Sequence, residues 1–489
     1  MAVAESSALP VEYRPGLVLG KPQAPTHDDG VVRTDVACFL RVRLSPVPLD
    51  PVALGLPADS VQTLVLDGLP GSEDGTECTH ATRHRQMDEW QDATFAGEYR
   101  TRQPALARHY FLNGGKTLHL LDLLFHLPPL DYDRLAEDED PESVEEARAD
   151  AALLSFYSWA LERTDDYGRG SINQYGFPEL WLHHPHLVPE IWAMSASFCK
   201  RTGNRFLIAD SAPPWQIMVE EERRRQAAAG HVGRLELTPR RVVGEWYREE
   251  RWSKSRFDGV PAAVSLTVDA MLETSASLAR AQVDLSCIGV YWPWVVNERG
   301  LVVPPCGAVA GIYARSDDEN GPVGVMKPPA NEVVKGVADL AINADEFPAN
   351  LLMRASVNMF ESRAGKGVLV WGARTQCEDP SWQFINVRRL IGYIGKQIEA
   401  ESQWAVFEPN RDSLRRRLKE DVEFFLKDLW VLGALEGDSP EEAFKVICDD
   451  KNNPASVIDA GMLITDVWVR PVQTNEFVHL QFTHGDASQ

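Results

Sequence analysis

Basic residues are in short supply: 49 Lys and Arg stand against 72 Asp and Glu, a formal net charge of −23 over 489 residues. Neutralising a phosphate backbone takes a surplus of cations, so general nucleic-acid binding is not expected. Long apolar runs are missing as well. Leu301 to Ala314 carries no charge but contains two Pro and two Gly, and it falls short of the roughly 18 residues a membrane helix needs. The first residues, MAVAESSALPVEYRP, place Glu5 and Pro10 where a signal peptide would carry basic and then apolar residues. The expectation is a soluble product of the cytoplasm with no membrane insertion. Cysteine is sparse, seven residues far apart with no CxxC, which reads as reduced core thiols rather than a disulfide framework or a zinc site.

Catalytic signatures are equally thin. Asn113-Gly114-Gly115-Lys116-Thr117 resembles the end of a phosphate loop, but Tyr110 stands where the first Gly belongs, and a strand follows instead of a helix. A turn is the better reading. His183, His184 and His186 cluster around Pro185, yet neighbouring residues of an extended segment point to opposite sides, and neither HExxH nor a Cys partner accompanies them. There is no GxSxG elbow. Trp292-Pro293-Trp294 could stack a sugar or base, but its apolar surroundings favour core packing. No catalytic residue, cofactor or metal is expected, and a carboxylate pair among the many Asp and Glu stays open.

What is present is globular: 44% hydrophobic and 25% charged residues. Length gives a prior of about three domains, or one large domain with insertions. Val36 to Leu44 alternates, with Arg41 and Arg43 opposite the apolar residues, and predicts a half-buried strand. Pro-rich and acidic loops are expected up to about residue 100, then a helix into Tyr110-Phe111, the Gly turn, and a strand from Leu118 to Phe125. Asp140-Pro141-Glu142 opens a helix to about Arg163. Residues 176–210 read as strand, helix (Pro189–Arg201) and strand, and Glu220–Arg225 as an exposed helix. Further on, Gly367–Thr375 is a strand and Asn386 caps a helix. Gln403–Glu408 is a short strand, and Asn410 caps a long helix striped by Leu414, Leu418, Val422, Phe425 and Leu429 and closed by Gly433. Strands follow at Ala443–Cys448, Met462–Val469 and Phe477–Phe482. The fold class is α/β, a mixed sheet with flanking helices.

GKGVLVWGART (365–375), FINVRRLIGYI (384–394), QWAVFEPN (403–410), LWVLGAL to EEAF (429–444) and NNP to IDAGMLI (452–464) together resemble the contractile tail sheath proteins. That family spans myophages, R-type pyocins and phage-tail-like extracellular injection systems. YWPWV (291–295), VVPPCGAVAGIYARSD (302–317), GVMKPPANEVVKGV (324–337) and HYFLNGGKTLHLLDL (109–123) are similar to the same family's central and amino-terminal regions. Arg14-Pro15-Gly16-Leu17, EFPANLLMRASVNMF (346–360) and Thr474-Asn475-Glu476-Phe477 depart from its usual motifs.

The resemblance implies a structural subunit, not an enzyme. Copies of itself in stacked hexameric rings would surround an inner tube and contract to drive it through a target envelope, with baseplate and cap proteins as further partners. The particle is assembled in the cytoplasm and can be released. The implied layout is an extended arm at 1–30, sheath core from 31–125, a middle region with outer insertions at 126–280, a central domain at 281–365, a tube-facing α/β domain at 366–470 and a β arm at 471–489. Arg411, Arg415, Arg416 and Lys419 are the tube-contact candidates. Leu17, Val18 and Leu19, with Phe477, Val478, Leu480 and Phe482, are the candidates for strands donated to neighbouring subunits. A paralogue placed at the baseplate or cap, an α/β hydrolase-like enzyme with a scattered site, and a carbohydrate-binding module using Trp292 and Trp294 are the alternatives.

Overall fold

The computed structural model describes residues 32–66, 76–88, 102–128, 140–214, 262–342 and 355–473, less 46, 53, 55–56, 58, 169 and 320, together with 217 and 352. Both proposed arm segments and Glu220–Arg225 lie outside the described residues. The chain forms two compact units, 33–392 and Tyr393–Val472 with Val32.

The larger unit is built on a ten-stranded sheet. Its strands are β1 (Val36–Ser45), β2 (Val61–Leu66), β3 (Thr76–Met87), β4 (Thr117–His126), β5 (Gln174–Gly176), β6 (Phe206–Asp210), β7 (Ile288–Trp292), β10 (Glu332–Val333), β12 (Val357–Arg363) and β13 (Gly367–Trp371). β8 (Val295–Asn297), β9 (Val302–Val303) and β11 (Val337–Leu340) make a separate three-stranded sheet. The order β10-β13-β12-β7-β6-β5-β1-β4-β3-β2 has a parallel centre, β12 to β4, with antiparallel strands at each edge. The sheet is therefore mixed, as the sequence pattern predicts.

Parallel strands are normally covered on both faces, and here they are. On one face Val36, Cys38, Leu40 and Val42 join a core with helices α1 (Gln103–Leu112) excluded and α2 (Pro141–Gly168), α3 (Val188–Thr202) and α4 (Ala262–Arg280) supplying Phe156, Ile191 and Met271. On the other face Ala37 and Phe39 join Leu106 and Tyr110 of α1 and Val309, Ile312 and Tyr313 of α5 (Cys306–Glu319). β1 is thus buried on both sides rather than half-buried, and Arg41 is itself buried at 6% exposure. The period of two hid this because Arg41 and Arg43 look solvated until Asp122 is placed beside them.

Two further readings change and one holds. The stretch expected to be loops up to residue 100 contains the β2–β3 hairpin, missed because THATRHRQM carries its Thr, His and Arg on a ribbon with little apolar content. Helix α2, which falls in the expected outer insertions, packs on the main sheet and runs to Gly168; Asp140 Oδ2 accepts from Ser143 N (3.3 Å) and Oγ (2.7 Å) at its start. Trp292 and Trp294 are at 0% and 1% exposure, and Trp294 Nε1 donates to Ser211 O at 2.8 Å, so the rings belong to the core.

The HYFLNGG motif is a structural knot. The Tyr110 hydroxyl lies 2.7 Å from Asp35 O and 2.8 Å from Thr117 O. Asn113, fully buried, donates to His109 O and Lys335 O and accepts from Lys335 N at 2.8 Å. Gly114 takes φ 111°, open to glycine, with Arg315 close by. On α5, Gly307 and Gly311 let the helix lie against the α1 backbone. A Cβ at Gly307 would sit 2.6 Å from Leu106 O, and one at Gly311 would run into Tyr110 O.

In the smaller unit, α6 (Ile385–Glu401), within which the division between units falls, leads to α7 (Asp412–Val431) and to a two-stranded ribbon, β14 (Phe444–Ile447) with β15 (Asp466–Val469). α6 begins at Ile385, so Asn386 lies in its first turn and donates to Met326 O. Gln403–Glu408 forms a 3-10 turn over Gln403–Ala405, not a strand, because Ser402 N and Ala405 N continue helical pairing with Ile398 O and Ser402 O. The last described strand is confined to Asp466–Val469 within the expected 462–469. No described helix is long and apolar enough to cross a membrane.

Candidate assembly surfaces

The sheet of the larger unit gathers charge at the carboxyl ends of β1 and β5, where open α/β sheets often place ligands. Arg41 donates to Asp122 (2.8 Å) and lies 3.5 Å from Glu179, which also pairs with Arg102 (3.3 Å) and faces His183 at 3.8 Å. Arg43 shares Asp122 at 2.9 Å. Burial pushes the Glu179 carboxyl up, but His183, Arg102 and Arg41 outweigh it and hold it at about 2. Every charge in this group has an opposite partner, so the arrangement ties strands and loop together and leaves no carboxyl poised to move a proton.

Asp210, at the end of β6, differs. Burial lifts its carboxyl to about 7, although its Oδ1 accepts from Cys306 N at 2.7 Å. It faces the amino end of α5, where a carboxylate satisfies an orphan N–H, and it acts as a helix cap. The three histidines go separate ways: His183 to Glu179, His184 Nε2 to Val42 O (3.4 Å) and His186 Nε2 to Asp150 Oδ1 (2.8 Å). No group of His, Cys, Asp and Glu suited to a metal ion occurs among the described residues. All seven cysteines are free thiols and six are buried.

A second buried pair, Arg389 with Asp317, is bidentate (3.0 and 2.5 Å), and Thr34 Oγ1 donates to Asp317 at 2.7 Å. Burial pushes the Asp317 carboxyl up, with Arg389 opposing it. This pair holds α5 to the start of α6.

The surface of the smaller unit looks different. α7 buries Arg415, Leu418, Val422, Leu426 and Leu429. The buried stripe thus runs through Leu426 rather than the expected Phe425. Arg415, at 5% exposure, donates to Asn410 Oδ1 (2.8 Å) and Asp450 (2.7 Å) and pairs with Asp412, so it is withdrawn from the basic face the sequence suggested. Asn410 serves that arginine, and Arg411 occupies the cap position. Lys419 lies 3.6 Å from Glu423. Among the described residues Arg411 and Arg416 form no ion pair, and both are exposed. Exposed on the same unit are Phe407 at 86%, Phe424 at 67%, Val431 at 68% and Trp468 at 51%. These apolar positions were not singled out from sequence. The available signal was Phe424 and Val431 at a seven-residue spacing off the buried stripe of α7.

Comparison with known proteins completes the picture. Residues 268–376 match the phage tail sheath protein central domain, and residues 377–483 match the phage tail sheath C-terminal domain. The tail sheath protein of Vibrio phage KVP40 is 30% identical over 189 residues, covering 38% of this chain and 27% of that protein. The tail sheath protein of Enterobacteria phage T4 is 26% identical over 191 residues, 38% of this chain and 28% of that protein. These matches therefore span less than a third of the relatives' own length. Two solved structures share the fold across nearly the whole chain. The anti-feeding prophage baseplate in contracted state gives a TM-score of 0.58 at 20% identity, covering 98% of this chain and 99% of the other. The PVC sheath complex in contracted state gives 0.54 at 19% identity, covering 99% and 98%.

Proposed function

We propose, from the match of residues 268–483 to two consecutive phage tail sheath domains, that this chain is a structural subunit of a contractile sheath. The observation that carries this reading is the fold shared end to end with a sheath in its contracted state, on top of two consecutive sheath domains in sequence. In this reading subunits stack as hexameric rings around an inner tube. A long arrangement slides into a shorter, wider one of lower free energy and drives the tube through an envelope. Differences of a few kcal/mol per subunit, summed over many copies, need no nucleotide. The paired interior of 33–392 suits a body that moves without rearranging inside. The chain works mechanically, with no catalytic role.

The terminal segments, 1–30 and 471–489, are the proposed links between neighbours, through Leu17, Val18 and Leu19 and through Phe477, Val478, Leu480 and Phe482. The two-stranded β14–β15 ribbon supports this, because so small a sheet leaves edges for added strands. Five or so added backbone hydrogen bonds at about 0.5–1.5 kcal/mol each give a link of a few kcal/mol. The tube-facing surface is proposed on the smaller unit, with Arg411, Arg416 and Lys419 as its cations.

A second reading places this copy next to the baseplate, since the anti-feeding prophage structures that share its fold include baseplate assemblies. Negative-stain microscopy of the purified chain at high concentration tests the main reading. Tubular polymers are expected, and they should vanish without loss of folding when residues 471–489 are deleted. A protein that stays monomeric at every concentration would contradict it.

A further inference from the structure

On the sheet face that carries α1, the apolar residues Ala37, Phe39, Leu118 and Leu120 give way to a charged corner toward the carboxyl end of β1. Residues in register across a sheet share a face, and here two rows run over three adjacent strands. One row is Arg41 on β1, Asp122 on β4 and Arg83 on β3; the next is Arg43, Leu124 and Ala81. Together with Leu54, the residues Arg43, Ala81, Arg83, Asp122 and Leu124 line a cavity of about 170 Å³.

The charges around this cavity do not cancel. Arg41 Nε and Nη2 donate to the two Asp122 oxygens at 3.2 and 2.8 Å, and Arg43 Nε and Nη2 donate to the same oxygens at 3.2 and 2.9 Å. Burial raises the Asp122 carboxyl, but these two guanidinium groups outweigh it and hold it below its ordinary value, so it stays ionised. Four donors on a carboxylate with about four lone-pair sites leave no place for a third arginine. The Arg83 guanidinium donates instead to Leu54 O at 2.5 Å and, among the described residues, forms no ion pair. In the Leu54 loop the Asp50 carboxylate is turned to its own backbone, accepting from Val52 N at 2.9 Å. Glu179, the other carboxylate on Arg41, is shared with Arg102. Arg41, Arg43, Arg83 and Arg102 thus stand against Asp122 and Glu179 alone, a local positive excess in a chain of net charge −23.

We infer that this cavity is a binding site for a small tetrahedral oxyanion of the phosphate or sulfate class, held between the Arg43 and Arg83 guanidinium groups. Guanidinium groups pair with such ions through charge-assisted, often bidentate hydrogen bonds. The volume falls below the roughly 300 Å³ at which pockets for drug-sized ligands begin, so the site takes the bare ion rather than a nucleotide. Leu54, Ala81 and Leu124 supply apolar wall, and a lower local dielectric strengthens each ionic contact. Asp122 lines the same cavity, but both its oxygens are engaged by Arg41 and Arg43, which offset its charge. A bound ion would join β1, β3 and the loop at Leu54, and so fasten the β2–β3 hairpin to the parallel centre of the sheet. The assignment does not depend on the sheath reading.

The test is calorimetric titration of the whole chain with inorganic phosphate, and separately with sulfate, at an ionic strength held constant with chloride so that screening does not vary. Saturable binding of one ion per chain is expected, with a dissociation constant in the millimolar range. Arg83→Gln should bind at least ten-fold more weakly, as the loss of one charge-assisted contact requires, and Arg83→Lys should recover part of that loss. Arg83 is exposed, so both variants should fold as the wild type does, checked by circular dichroism in chloride. Phosphate should then raise the melting temperature of the wild type and leave that of Arg83→Gln unchanged. Arg43→Gln, in which Arg41 keeps Asp122 paired, should weaken binding to a similar degree. Titrations that do not saturate, or an affinity unchanged in both Arg83→Gln and Arg43→Gln, overturn the inference. A wild type that ignores both ions but loses self-association on Arg83→Gln would assign these arginines to a carboxylate of a second copy, also overturning it.

Discussion

The two units of this chain differ in the aromatic rings they show to water: among the described residues those more than half exposed, Phe407, Phe424 and Trp468, all lie in Tyr393–Val472. In residues 33–392 four charged groups are drawn inside and paired: Arg41, Glu179, Asp317 and Arg389 are all buried, each against an opposite charge. In Tyr393–Val472 a twenty-residue helix keeps one face in a small core and turns Phe424 and Val431 to water. The first pattern makes a body that is costly to deform, because breaking any buried pair strands a charge. The second leaves contact area unused inside the subunit. Buried charge pairs and exposed aromatic area are thus most developed in different parts of one chain.

Substitutions can break or sharpen this contrast, and the largest effect should come from helix packing. Gly311→Val drives a branched side chain into the Tyr110 carbonyl, backbone that cannot repack, so a loss of about 4 kcal/mol or more and insoluble protein are expected; denaturant titration of the soluble fraction checks it. Arg389→Leu leaves Asp317 buried without its partner and should cost about 3–5 kcal/mol by the same titration.

Asp210→Asn is a pH experiment. The folded carboxyl at about 7 lies above its ordinary value of 3.8, so its stabilising contribution is complete below 3.8 and lost as pH rises through 7. Asparagine can still accept from Cys306 N without ionising. Below pH 4 the variant should match the wild type, and at pH 8 it should be more stable by about 2–4 kcal/mol, read from melts across the range. The smallest effect belongs to the other unit. Gly395, inside α6, has open space where a Cβ would sit, so Gly395→Ala should stabilise by about 0.5–1 kcal/mol.

Much of this was legible in the sequence where local signals agree. Asp140-Pro141 announced α2, the alternation of Val36 to Leu44 announced β1, and Gly433, at φ 80°, closed α7 as the pattern required. What was not legible depends on partners far along the chain. Arg41 reads as solvated until Asp122 and Glu179 arrive from 81 and 138 residues away. Arg415 reads as surface charge until Asp450 is brought to it. The Gln403–Glu408 stretch has a strand's alternation, but the preceding helix carries its pairing through it. Phe407 was quoted within a family motif, yet its exposure and backbone strain are properties of the fold alone.

In the proposed function a sheath subunit meets its tube through the smaller unit. Lysine cross-linking of intact, uncontracted particles followed by mass spectrometry tests it most directly. Lys419 and Lys427, on α7, should cross-link to the tube subunit, while Lys116 and Lys200, exposed on the larger unit, should not. Cross-links to the tube from Lys116 or Lys200, with none from Lys419 or Lys427, would contradict it.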